Sequence, residues 1–560
     1  MAEEQLKLLE VTEEFGVHLA ELTVDRTGAL AIRQLASVIL KQYIEAHWTV
    51  NGEKYRDPQT TGAAKAEIWH LLLLEGLQES ISKVRSGVAY AISAIAHWDW
   101  VEAWPKLFVH LRQALTSGDS NLVHGAMSVL SESCCKVSDI QMPLAPPLIL
   151  PELYRIFVHA DLYSIRTRSH AAEIFNTCAS QICAMERHNM GIAARFPMLP
   201  EFTKAFVQVL AIQEGSATVD CGLKMKVIKA LTTLVKEFPE QMAPHLMDIL
   251  SHMWNTLTQN ADHYVRTVVN YTDDADDLVD SDGEALGFEN LVISIFEFFH
   301  GLIETPEFKE TVKSFLDELI YFLVLYMQIT EHQVQVWTSN PNQFVEDEDD
   351  DTFSFSVRIA AQEVLMAVAA DFKIEGAVSL EKAVKKHLRE ANERKSKGDV
   401  NWWKIREACM LAMGCIKSII IDKVSNGKVP IDMTSFLTQV VSVDLQPESV
   451  SPFLVGKALW VASRFTPLMT RQLLASFIEV SVTGLQSREN TVIKKSAVRA
   501  VFEFCAHLKA SENTQIFAPF LLEIRDGLFA MAALSTDDVR ASVSEALGNV
   551  LWGQAISQAL

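Results

Sequence analysis

Carboxylates are the residues of this chain whose spacing invites chemistry, and they gather in two places. In the stretch NYTDDADDLVDSDGEALGFEN (270–290), Asp280, Asp282, Gly283 and Glu289 fit positions three, five, six and twelve of a calcium-binding EF-hand loop. Position one would be Leu278, which has no oxygen to give the ion, and the flanking segments belong to a helical repeat, so no metal is expected here. The second place is a run of six consecutive carboxylates, Glu346, Asp347, Glu348, Asp349, Asp350 and Asp351. Like charges this dense repel one another and cannot hold a core together. One or two of them near the N-terminus of the next helix would each gain about 0.3–1 kcal/mol from its dipole. The rest add repulsion, and that surplus suits an external cation. A basic protein surface is the expected contact for the whole run, and equally for Asp273, Asp274, Asp276, Asp277, Asp280 and Asp282 in the first stretch. Pro341 and the clustered charge are expected to keep 340–352 out of a helix, with Phe344, Phe353 and Phe355 anchoring its ends on the core.

Other chemistry is missing from the sequence. It contains no H-E-x-x-H, no phosphate-cradling glycine loop, no G-x-S-x-G and no paired-cysteine zinc pattern, so neither an enzyme nor a cofactor is expected. The histidines fall mostly on helices, as His97, His110 and His300 do. Trp402 and Trp403 are expected to be partly exposed. The eight cysteines form no C-x-x-C and lie in apolar helical patterns, the usage of reduced thiols that pack as small hydrophobes. Asn270-Tyr271-Thr272 reads as a chance glycosylation match, since the acidic opening MAEEQLKLLE is helical and unlike a signal peptide. The longest apolar run, LIYFLVLYM at 319–327, is far short of the roughly 20 residues a membrane span needs.

A net charge of −22 repels nucleic acid and anionic lipid and attracts basic proteins. With 49% apolar residues, 23 Gly and 17 Pro in 560, the chain has ample material for a buried core.

What must position these carboxylates is a set of helices, and one of them keeps returning. A basic residue is followed at three, six, seven and ten positions by residues that share one helix face. The anchors are Arg33, Arg85, Arg168, Lys224, Arg358, Arg406, Lys494 and Arg540, and small residues recur among the followers, for example Ala91, Ala171, Ala230, Ala361 and Ala412. Small side chains there let a neighbouring helix come close. A second apolar helix lies between most anchors, often just after a proline, as in LPEFTKAFVQVLA and MAPHLMDILSHMWNTL. Helix pairs at this period predict an all-α HEAT-repeat α-solenoid, a right-handed superhelix of stacked antiparallel pairs.

The stretches IRQLASVILKQYIEAHW (32–48) and SISKVRSGVAYAISAIAHWDWVEAWPKLF (80–108), the latter with the turn Trp104-Pro105-Lys106-Leu107, resemble the N-terminal module of the importin-β family of nuclear transport receptors. The acidic stretches VRTVVNYTDDADDLVDSDGEALGFENLV and WTSNPNQFVEDEDDDTFSFSVRIAAQ resemble one branch of that family. The resemblance implies Ran-GTP binding at the first repeats, basic cargo such as core histones and ribosomal proteins, contacts with phenylalanine-glycine nucleoporins, and shuttling between cytoplasm and nucleus. It implies no direct nucleic-acid binding and no membrane insertion. The expected organisation is an N-terminal module at 1–118, HEAT repeats at 119–269, an acidic loop at 270–290, a repeat at 291–334, an acidic loop at 335–352 and further repeats at 353–560. The chain opens inside a helix and ends at ASVSEALGNVLWGQAISQAL, well before such a receptor would end, so a fragment or shortened product is expected. The alternative is a HEAT scaffold of another class, of phosphatase or vesicle-coat type, which would need neither acidic stretch.

Overall fold

Helices begin where the sequence offers caps. Thr61, Asp220, Thr330, Ser356 and Thr470 each accept a hydrogen bond from the backbone N–H three residues on. Prolines stand in the first turn of Pro146–Val158, Leu199–Ala211 and Pro452–Arg464, where a missing N–H costs nothing. The computed structural model describes residues 8–12, 14–100, 102–134, 144–186, 196, 198–212, 220–271, 287–347, 356–427, 431–445, 451–486, 491–510, 516 and 519–532, and regular structure among them is entirely helical. They form a HEAT-repeat solenoid in two units, Met1–His252 and Met253–Leu560.

In the first unit, α1 (Phe15–Val24), α3 (Gly62–Leu71), α5 (Leu107–Leu115), α7 (Pro146–Val158) and α9 (Leu199–Ala211) alternate with α2 (Leu30–His47), α4 (Ser82–Asp99), α6 (Ser120–Cys134), α8 (Ile165–Glu186) and α10 (Cys221–Glu237). The even helices pack in succession as one layer, with the odd helices against them as the other. The repeated positions explain that layer. Beyond Arg85, Arg168 and Lys224, the residues at three, six, seven and ten are all buried, and beyond Arg33 only Ile39 is half-exposed. The anchors are buried too, and they tie neighbouring segments together. Arg33 pairs with Glu79 and donates to the Thr23 carbonyl at 3.2 Å, while Arg85 donates to the Glu79 carbonyl at 2.6 Å and Arg168 to that of Phe157 at 2.7 Å. Close approach is literal at Gly125, where a Cβ would stand 2.4 Å from the Leu77 carbonyl oxygen.

Charge also gathers on α6, α8 and α10. The rings of His124 and His170 meet edge to face at 5.4 Å, and Glu173 accepts from Lys226 at 3.2 Å. Burial, then the nearby cations Arg166, Arg85 and His170, lower the His124 pKa to about 4. His170 and Lys226 hold Glu173 down to about 2 against its own burial. The folded chain therefore binds a proton at His124 less readily than the unfolded chain does, so this contribution is complete above about pH 6.5 and disappears as pH falls towards 4. The Glu173 contribution is complete above about pH 4.5 and is lost as pH falls from there towards 2. We expect the thermal midpoint to fall between pH 6.5 and 4, and to fall less in a His124→Asn variant scanned calorimetrically over the same window.

In the second unit, α11 (Phe288–Glu304), α15 (Val357–Ser396), α16 (Trp402–Cys415), α17 (Pro452–Arg464) and α19 (Thr491–Ala510) pack in succession. Helices α12 (Leu316–Tyr326), α18 (Arg471–Leu485) and α20 (Leu521–Ala532) belong to the other layer. The long α15 is two helices, because Lys373 takes φ 33° and the chain reverses there. A Cβ at Gly376 would lie 3.3 Å from Val368 Cγ1, a contact that residues eight apart in a straight helix cannot make. The first arm, α15a (357–372), faces α16 through Arg358 and Gln362. The second, α15b (374–396), lies along α12 through Ser379 with Asp317 and His387 with the Tyr321 carbonyl.

Anchor positions hold here with one correction. Beyond Arg358 and Arg406 all four following positions are buried, as they are beyond Lys494. Lys494 itself is only half-buried, however, and the buried base of α19 is Lys495. One residue is a 100° turn, and it aims Lys495 at the Pro341 carbonyl. Trp402 and Trp403, expected partly exposed, are both buried, under Lys395 and against Phe453 respectively. Arg540 lies outside the described residues. Burial pushes the Cys505 thiol up to about 12 and Cys409 further, so neither is a reactive thiolate.

Candidate functional site

The candidate site is the framework of described residues that flank the two acidic stretches. Between α12 and α15 the chain makes α13 (Glu331–Ser339) and α14 (Pro341–Asp347). Thr330 and Gln333 form a reciprocal capping box that starts α13. Pro341 opens α14 rather than forbidding it, because proline at the first helical position loses no hydrogen bond. The loop expected over 335–352 is therefore helical as far as Asp347, and Glu346 and Asp347 stand on α14.

Side chains then strap these two short helices across three successive repeats. Trp337 and Phe344 are buried, meet each other at 5.2 Å between ring centroids, and both meet Phe453 of α17, at 5.5 and 5.7 Å. Phe344 anchors on the core as its sequence position suggested, and Gly456 makes room, since a Cβ there would lie 3.7 Å from Phe344 Cζ and 2.6 Å from Ser496 Oγ. The Pro341 carbonyl accepts from Lys495 Nζ of α19 at 3.3 Å. At the other end Lys404 of α16, a buried ammonium, donates to Glu331 at 2.8 Å and to the Val269 carbonyl at 2.5 Å. Burial lowers the Lys404 pKa, and Glu331 opposes that shift. One ammonium thus holds the backbone just before the first acidic stretch and the first residue of the strap leading to the second.

Asp347 differs from the contact expected of it. Its carboxylate accepts from Trp337 Nε1 at 2.7 Å and from Gln343 Nε2 at 2.9 Å, which turns it inward to close the strap. Asp273, Asp274, Asp276, Asp277, Asp280 and Asp282 in the first stretch, and Glu348, Asp349, Asp350, Asp351, Phe353 and Phe355 in the second, lie outside the described residues. Glu289 stands on α11, and no group of His, Cys, Asp or Glu among the described residues is arranged to hold a metal ion.

Beneath the strap runs a buried charge ladder that sequence reasoning missed. Arg358 of α15a forks onto Glu407 of α16 at 2.7 and 2.8 Å and also donates to the Met327 carbonyl. Glu407 is fully buried, with Lys457 Nζ of α17 3.7 Å away. Arg406 points the other way, to Asp444 at 2.9 Å, whose pKa burial raises against the pull of that guanidinium. The signal available in the sequence was Glu407 itself, a carboxylate set among apolar residues in WWKIREACMLAMGC.

Two family models match the chain. Residues 2–73 match the importin-beta N-terminal domain, and residues 310–551 match the importin-9 central HEAT repeats, so together they cover more than half of it. Importin-9 of Drosophila melanogaster is 32% identical over 97% of this chain and 54% of its own length. The chain belongs to the importin-β family. Within this family, importin subunit beta-5 of Schizosaccharomyces pombe is 22% identical over 98% of the chain and 55% of that protein. The chain spans about half the length of the curated relatives it matches. Solved structures share the importin-β fold. Lph2, a bidirectional nuclear transport receptor of S. cerevisiae, superimposes with a TM-score of 0.71 over 99% of this chain and 57% of its own at 16% identity, and importin beta with 0.68 over 99% and 59% at 14%. The matched relatives are importins and exportins rather than enzymes.

Proposed function

We propose that this chain acts in nuclear import as a receptor for basic proteins of the histone and ribosomal-protein kind, with Ran-GTP controlling the cargo. The observation that carries the reading is the strap. Buried Lys404 holds both the Val269 carbonyl, just before the first acidic stretch, and Glu331, at the start of the strap that leads to the second, which supports a common framework for the two. A net charge of −22 supports the same partner class through long-range attraction and faster encounter. For Ran-GTP the support is the N-terminal family match, together with Ile32, Leu35 and Val38, which are exposed along one stripe of α2 and open to a partner. For phenylalanine-glycine nucleoporins the support is a relative of the same fold, Kap121p, solved bound to Nup53p. Such a receptor would shuttle between cytoplasm and nucleus, and no described helix is long and apolar enough to cross a membrane.

The test replaces Glu348, Asp349, Asp350 and Asp351 with Gln or Asn and leaves Asp347, which closes the strap. We expect an unchanged melting temperature, weaker binding of a histone H2A–H2B dimer and a flatter salt dependence, mostly through slower association in stopped-flow. Association as fast and as salt-sensitive as the parent's would remove these residues from the cargo contact. Repeating the titration with Ran loaded with GTP or GDP tests the control, and equal binding of the two forms would refute it.

A further inference from the structure

Helix α15b carries a charge that the rest of the chain does not predict. Between residues 382 and 397 stand seven basic residues, Lys382, Lys385, Lys386, Arg389, Arg394, Lys395 and Lys397, against Glu390 and Glu393, a net of +5 in a chain of −22. The helix end accounts for part of this. Arg394, Lys395 and Lys397 sit in or just past the last turn, where cations meet the unpaired carbonyls. Lys382, Lys385, Lys386 and Arg389 are one to three turns earlier, beyond the reach of that effect. Packing against α12 uses two of them, Lys386 over the Tyr321 ring at 3.8 Å and Lys382 on Asp317 at 2.8 Å. The opposite side of α15b, Ala383, Val384, His387 and Ala391, is buried, and the stacking of His387 on Tyr321 at 4.1 Å fixes the rotation of the helix.

The spacing 382, 385, 389 places three cations along one exposed stripe. Their neighbours neutralise it only partly. Lys382 reaches Asp317 and Lys385 reaches Glu381, both at 2.8 Å or less, yet the two lysine side chains remain 60% and 67% exposed. Exposed ion pairs of this kind are worth little and give way to a better partner. Arg389 and Lys397 are exposed. The stripe stands on the layer of α12, whereas the strap lies on the layer of α16, α17 and α19.

We propose that the stripe Lys382–Lys385–Arg389 is a docking surface for a short Asp/Glu-rich segment of a partner protein, distinct from the surface that takes basic cargo. Charge complementarity sets the class, and range sets the length. At physiological salt a charge is felt over about 8 Å, so a short acidic peptide lying on α15b experiences the seven bases together with Glu381, Asp317, Glu390 and Glu393, a local net of +3. A nucleic acid of many phosphates would extend past the stripe into the strongly negative remainder of the chain and be repelled. A rigid helix that presents cations at successive turns matches carboxylates spaced along an extended or helical peptide without paying to order itself.

Fluorescence anisotropy with a labelled twelve-residue peptide of alternating Asp and Glu tests this on the whole chain. We expect binding that weakens with salt, and about a tenfold loss in the Lys385→Glu, Arg389→Glu double variant. A control that changes net charge equally through exposed lysines elsewhere, Lys106→Glu with Lys204→Glu, should lose less than about twofold. Both pairs are exposed, and unchanged circular dichroism confirms their folding. No binding by the parent at low salt, equal losses in both variants, or a single-stranded oligonucleotide of equal charge binding as tightly as the peptide would each overturn the proposal.

Discussion

A Glu407→Ala chain is expected to lose about 3–5 kcal/mol of stability in the unit that spans residues 253–560. The carboxylate is fully buried between two cations on adjacent helices, Arg358 of α15a at 2.7 Å and Lys457 of α17 at 3.7 Å. Removing it leaves a buried guanidinium and a buried ammonium facing each other without a counter-charge, and that penalty exceeds anything the pair contributed while intact. Denaturant titration followed by tryptophan fluorescence measures the loss. Replacing all three groups with apolar side chains of similar size, as Arg358→Met, Glu407→Leu and Lys457→Met, should recover much of it, since no charge then stays buried. A single variant as stable as the parent would mean the ladder is open to water.

Trp337→Ala should have the next largest effect, about 3–5 kcal/mol, concentrated in the strap. The indole fills the space between Phe344 and Phe453 and is the donor that holds Asp347 inward. Its loss removes the packing and the latch together. Amide hydrogen exchange should accelerate over 331–347 and in the facing turns of α17, and stay as slow as before in α1 to α10. Asp347→Asn, which keeps an acceptor for the indole N–H but loses its charge, should cost only about 1 kcal/mol. Were exchange over 331–347 indifferent to Trp337, the strap would be held by its ends alone, at Lys404 and Lys495.

The solenoid was legible because its rule is local: a base followed by apolar or small residues at fixed steps specifies a buried helix face without reference to any distant residue. That rule failed where two candidates sat side by side. Lys494 and Lys495 are both lysines, and only the position of the Pro341 carbonyl, which lies 154 residues earlier in sequence, decides which is buried. The strap was hidden for a related reason. Pro341 and six carboxylates look like breakers, yet the proline sits where a helix starts, and the apolar residues that hold α13 and α14, Trp337 and Phe344, find their partner more than a hundred positions later at Phe453. Glu407 stands among apolar residues in WWKIREACMLAMGC, a sign of burial that names no partner. Partners in distant repeats set its burial, and spacing within its own helix carries no record of them.

The reversal at Lys373 sets the rotational phase of α15b. Helices α15a and α15b are joined by one residue, so the connection has no slack to absorb a change in length. Adding or deleting a single residue at this joint would rotate α15b by 100° about its own axis. The face formed by Ala383, Val384, His387 and Ala391 would turn towards water, and lysines would be driven against α12. The chain therefore has a point where length is as constrained as identity, and natural variants should change residues around 373 by substitution rather than by insertion.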